Sequence, residues 1–166
     1  MPHVIRLRGP WNYEPLARFV PHTDGRVDAT NDNLPPSGVI ELPADWASVL
    51  GADFQGSVRF TRRFHRPTGL EASSRVTLVI EDVDWQAELL LNDRLLGTVF
   101  CSRSLDAQQA MKCPARFDIS TQLTPQNQLS IVVTSPTLDA GNSPLPRPGR
   151  TDQPGGPIGL VRLEIN

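Results

Sequence analysis

The sequence predicts an all-β chain, an antiparallel sandwich or barrel. Three observations carry this. Apolar and polar residues alternate with period two in several short segments. Prolines and glycines, 16 and 12 in 166 residues, cut the chain into pieces of strand length. No segment sustains a heptad pattern or an internal repeat.

The clearest strand is Ser57–Arg66. Val58, Phe60, Arg62 and Phe64 alternate there with Arg59, Thr61, Arg63 and His65, which marks a half-buried strand. Pro67 ends it, because proline has no N–H for the ladder. Arg75–Val83 is a second strand, with Val76, Leu78 and Ile80 on one face and Thr77, Val79 and Glu81 on the other. Ala87–Leu91 and Leu95–Val99 flank Asn92-Asp93-Arg94. Asn and Asp tolerate left-handed backbone, so this is a hairpin. Leu129–Val133 and Leu160–Ile165 are two further strands. Val4–Arg8, Leu16–Val20, Val39–Leu42 and Ala115–Ile119 carry weaker versions of the signal. The total is about nine strands separated by turns, the pattern of a sandwich or barrel. Asp45–Leu50 fits one helical turn capped by Asp45.

Pro21–Gly38, Cys101–Pro114 and Ser135–Pro157 read as loops. The last holds six prolines and four glycines, together with Arg147, Arg150 and Asp152. Structureless loops beyond about 12–15 residues are uncommon unless they work, which draws attention to this one.

Length predicts one domain over residues 1–166. A chain of this size buries about 70% of its unfolded surface and needs no disulfide or metal to fold. The formal net charge of −2 provides no field for nucleic acid or an anionic membrane. Of the 16 basic residues, only Lys112 is lysine. The arginine excess suits forked recognition of polyols or carboxylates; codon usage explains it equally well. No apolar run approaches the ~20 residues that span a bilayer. Met1–Arg8 lacks the apolar core of a signal peptide, so the expected compartment is the cytoplasm. Cys101 and Cys113 flank one loop; a bridge between them is conceivable, and two thiols are the expected state.

In order, the segments resemble the N-terminal sugar-binding domain of glycoside hydrolase family 2, the family of β-galactosidases and β-glucuronidases. The residues that carry the resemblance are Leu42-Pro43-Ala44-Asp45-Trp46, Gly56–Phe64, Leu78–Asp84 and the hairpin Leu90–Gly97. Phe117-Asp118-Ile119-Ser120, Asn127-Gln128-Leu129 and Gly155–Leu163 follow. The match runs over roughly residues 42–165. It implies a jelly-roll β-sandwich of the galactose-binding-domain type. Phe60, Leu78, Ile80, Leu89, Leu91, Leu129, Ile131, Val133, Val161 and Leu163 are then expected inside.

The family's two catalytic glutamates lie on a separate barrel, which the resemblance does not cover. Here Glu81, Glu88 and Glu164 fall on polar strand faces, where solvation is expected. The expected catalytic residues are therefore none. No cofactor is expected either. His3, His22 and His65 are dispersed, and Asp82 with Asp84 is too small an oxygen set for calcium, so no metal is expected. In the family, a loop aspartate before the closing glycine-isoleucine motif contributes to the neighbouring active site. Asp152 stands in a similar place, with Gln153-Pro154 where the family carries a bulkier residue.

The expected function is non-catalytic carbohydrate binding. Trp85 would stack on a sugar face, Arg147 and Arg150 would donate to hydroxyls or a carboxylate, and Asp152 would accept from hydroxyls. Trp46, Trp11 and Tyr13 are read as packing residues. Two alternatives remain: a protein-interaction or structural sandwich that has lost the sugar, and an accessory piece of a glycosidase whose barrel is absent. The expected partners are a carbohydrate ligand or a protein, with no nucleic acid and no membrane.

Overall fold

Val58, Phe60, Leu89, Leu91, Leu129, Ile131 and Val133 converge on one interior, and their strand alternation puts them there. The computed structural model describes residues 1–24, 26–51, 54–101, 111–134 and 159–166. Its elements are β1 (His3–Arg6), β2 (Trp11–Pro21), β3 (Val27–Thr30), β4 (Gly38–Ile40) and α1 (Ala47–Leu50), then β5 (Gly56–His65) and β6 (Val76–Ile80). β7 (Gln86–Leu91), β8 (Arg94–Phe100), β9 (Ala115–Asp118), β10 (Gln126–Thr134) and β11 (Val161–Ile165) follow. Two antiparallel sheets face each other. The smaller has the order β1-β11-β6-β9; the larger has β3-β2-β5-β10-β7-β8, with β4 also paired to β2. This is the expected all-β antiparallel sandwich.

The centre of the large sheet is β10. Ile131 pairs with Phe60 on one side and with Leu89 on the other. Val133 pairs with Val58 and Ala87 in the same way. In the small sheet, Leu78 sits between Leu163 and Phe117. All ten residues expected inside are buried. Burying a side chain of this size stabilises by about 1.5–3 kcal/mol.

Trp46 and Trp11 are fully buried and Tyr13 nearly so, as their packing assignment requires. Trp46 stacks on Phe60 with centroids 6.5 Å apart and meets Phe54 edge-on at 5.6 Å. The Trp11 indole N–H donates to the Leu7 carbonyl at 2.7 Å. Asp45 accepts the Ala47 amide at 3.1 Å, but the cap position of the single helical turn is held by Trp46, which makes no side-chain cap bond, so the cap expected of Asp45 is one residue off.

The hairpin turn consists of Asn92 (φ 51°) and Asp93 (φ 65°), with Leu91 and Arg94 closing it. Both central residues are left-handed, as a two-residue type I′ turn requires. The Asn92 carboxamide takes the Gln128 amide at 2.8 Å and donates to Asn127. Asn127 is buried, and it spans the Thr124 amide and carbonyl. The asparagines at this end thus tie β10 to the hairpin.

Two differences from expectation stand out. β3 falls inside the stretch read as a loop. None of Val27-Asp28-Ala29-Thr30 is buried, and the ladder to Arg18–Pro21 holds it as an edge strand. Glu164, expected on a solvated face, is buried. Arg116 donates to it, and Arg162 bonds it at 2.9 Å while also reaching Glu81. Burial of this carboxylate is tolerable because two guanidiniums satisfy it.

Hydrogen bonds from Arg116 and then Arg162 hold the Glu164 carboxyl below its usual range. The Ser120 hydroxyl and amide do the same for Asp118. A depressed folded-state pKa gives stability that is present above the unfolded value, about 4.3 for Glu and 3.9 for Asp. That stability is lost as pH falls through the folded value. Melting temperature should therefore drop on acidification below about pH 5. Glu164→Gln should melt lower at neutral pH and change less on acidification, converging with the native protein. Parallel acid limbs would contradict the assignment.

Packing makes two further demands. Ile131→Ala should cost about 2–5 kcal/mol in urea unfolding, because it opens a cavity between both partner strands. Gly56→Ala should also destabilise, by at least about 1–3 kcal/mol. Its Cβ would stand 1.9 Å from the Ala17 carbonyl oxygen, where β2 and β5 cross the β2 bulge. Native-like midpoints in either variant would refute this packing.

Candidate carbohydrate-contact site

Three connections meet the same end of the sandwich, because antiparallel pairing fixes which strand ends are neighbours. The C-terminal ends of β6, β8 and β10 lie there, as do the N-terminal ends of β7, β9 and β11. Trp85 sits in the β6–β7 connection and is half-buried. Its carbonyl accepts the Cys101 amide at 2.9 Å, which pins it to the end of β8.

Thr134 is the last described residue before the long proline-rich stretch, and it pairs with Gln86, the neighbour of Trp85. Gly159 is the first after that stretch, and its amide donates to the Asp82 carbonyl at 3.3 Å. A Cβ on Gly159 would stand 2.3 Å from the Asp82 amide nitrogen, so this contact needs glycine. Both ends of the stretch therefore border the β6–β7 connection. Arg147, Arg150 and Asp152 lie outside the described residues, as do most of the two loops expected at Cys101–Pro114 and Ser135–Pro157.

The acidic residues of the connection have structural neighbours. Asp82 accepts the Val83 amide at 3.0 Å. Asp84 is buried at 5% exposure. Glu81 accepts the Leu160 amide at 3.3 Å as well as Arg162. Among the described residues no three His, Cys, Asp or Glu side chains gather into a metal site. Those residues also form no catalytic carboxylate pair and no barrel. No helix among them is long and apolar enough to cross a membrane.

Trp85 stands out in the sequence; the backbone bond that ties it to Cys101 does not. Cys113 is buried, and its amide donates to the Phe100 carbonyl at 2.8 Å. Burial pushes its thiol up to about 12, with the charge of Asp82 adding to the effect. The only hint in the sequence was that Cys101 and Cys113 flank the same loop.

No protein-family model matches the chain, and no curated protein matches it. Solved structures do. The β-glucuronidase of Bifidobacterium dentium, complexed with coumarin-3-O-glucuronide, aligns at 21% identity and a TM-score of 0.67 over 99% of this chain. A GH2 β-galacturonidase from Eisenbergiella tayi bound to galacturonate aligns at 16% identity and 0.61, again over 99%. A rhamnosidase from Novosphingobium sp. PP1Y gives 20% and 0.60 over the whole chain. The alignment spans only 30%, 24% and 15% of those three structures. At such identities the likeness establishes the fold: a β-sandwich resembling a part of these larger enzymes.

Proposed function

We propose that this sandwich is a non-catalytic carbohydrate-binding module, related to the sugar-binding domain of family 2 glycoside hydrolases. The observation that carries the proposal is the position of Trp85. It is partly exposed at the sandwich end that borders both ends of the stretch carrying Arg147, Arg150 and Asp152. Binding groups commonly lie on loops at the end of a rigid sheet. An indole offers a flat apolar face to sugar C–H groups. The arginines would supply forked donors to hydroxyls or a uronate carboxylate. Asp152 would accept from vicinal hydroxyls. The two similar enzymes whose complexes hold a glucuronide and galacturonate make uronides the first probes. The cytoplasm is the proposed compartment, where cysteines stay as thiols.

A second reading is a protein-interaction sandwich. Leu95 is 61% exposed on β8, at the edge of the large sheet. Edge strands with exposed apolar residues invite pairing with another chain. Concentration-dependent association in sedimentation velocity, abolished by Leu95→Lys, would favour it.

Calorimetric titration separates the readings. A dissociation constant on the order of 0.1–1 mM is expected for a uronide or galactoside, since few groups are buried and ordering opposes binding. Trp85→Ala and Asp152→Ala should each weaken it about tenfold, one RT ln 10 of contact free energy. Unchanged affinity in both would remove the site assignment. Chromogenic glucuronides and galactosides should show no turnover with the pure chain. Turnover that a Glu→Gln change abolishes would restore the enzyme-fragment reading.

A further inference from the structure

Phe100 and Lys112 form an isolated parallel bridge at the end of β8. The Phe100 amide donates to Met111 at 3.0 Å, and the Cys113 amide donates back to Phe100 at 2.8 Å. A parallel bridge sets residues directly across from one another, and continuing its register by one residue would bring Cys101 abreast of Cys113, whose thiol feels the proximity of Cys101. Neighbouring strands stand ~4.8 Å apart. Residues abreast in a parallel pair also point to the same face. A disulfide needs Cα atoms about 4.4–6.8 Å apart with converging Cβ vectors, a range that residues abreast on neighbouring strands occupy.

The two thiols differ in access. Cys101 is half-exposed and Cys113 is buried; the structure holds both without a disulfide. Reactivity follows thiolate content and exposure. Burial raises the Cys113 thiol, and the proximity of Cys101 contributes to that rise. We propose that Cys101 and Cys113 form a thiol–disulfide modification site, with Cys101 as the attacking thiol and Cys113 as the resolving one. This inference is independent of whether the sandwich binds sugar.

The reactant is a small-molecule disulfide. The Cys101 thiolate attacks one of its sulfurs, an S–S bond breaks, and one thiolate leaves, giving a mixed disulfide on Cys101. Cys113 loses its proton to solvent and attacks the Cys101 sulfur. The second small thiolate leaves and an intramolecular S–S bond remains. Two protein thiols are oxidised by two electrons, and one small disulfide is reduced to two thiols. The product would lock the end of β8 to the segment before β9, beside the Trp85 carbonyl that already holds the Cys101 amide.

Glutathione disulfide serves as the probe on the folded 166-residue chain. Samples quenched in acid would be resolved by intact mass and peptide mapping. The native protein should lose two hydrogens, retain no glutathione and give a Cys101–Cys113 cross-linked peptide. Cys113→Ser should stop at a glutathione adduct on Cys101. Cys101→Ser should stay unmodified over the same interval. In the reduced native protein, iodoacetamide should label Cys101 at least about tenfold faster than Cys113. That last measurement needs no variant, so it stands even if a substitution impairs folding. A lasting glutathione adduct on the native protein, or Cys113 labelled as fast as Cys101, would overturn the proposal.

Discussion

The double pairing of β10 is the constraint on which the rest depends. Leu129, Ile131 and Val133 occupy the interior face of a strand that has ladder partners on both sides. Side chains in a strand alternate with period two, so a slip of one residue would turn Ser130 and Val132 inward and expose all three. The register is held at one end by Asn92 and Asn127. Asn127 is almost fully buried, yet its carboxamide bonds Asn92 and both backbone groups of Thr124. A buried amide that satisfied is strongly positional, because no shifted register would supply the same partners.

That constraint divides the molecule. The Asn92–Asn127 end is closed by a two-residue turn and side-chain bonds. The opposite end gathers Trp85, Asp84, Cys101, Cys113 and both borders of the proline-rich stretch. Sheets give rigid positions to whatever their loops carry. Chemistry at the second end would therefore inherit fixed spacing for Trp85 and the two cysteines from β7, β8 and β9.

Most of the large sheet was legible in the sequence because its strands alternate cleanly. Val58, Phe60, Leu89, Leu91, Leu129, Ile131 and Val133 announced the core, and Asn92-Asp93 announced the turn. β3 was not legible, since Val27–Thr30 is only four residues long and gains its place from ladder bonds to β2 rather than from buried side chains. Glu164 was misread for a related reason. Period two puts it on the outer face, but only the neighbouring strands reveal that Arg116 and Arg162 converge on it. Of the candidate site, Trp85 was legible as an unusual aromatic at a strand junction. The cysteines were legible only as flanking one loop; the parallel bridge between Phe100 and Lys112 that brings their segments together was not.

Carbohydrate contact at the Trp85 end is the central functional claim, and amide and indole NMR shifts of the labelled chain during titration with a glucuronide test it most directly. The expected perturbations cluster at the Trp85 indole and the backbone of Gln86, Cys101 and Gly159, while Asn92 and Asn127 at the other end stay fixed. Perturbations centred on Asn92 and Asn127, or a spectrum unmoved by millimolar glucuronide and galactoside alike, would contradict the claim.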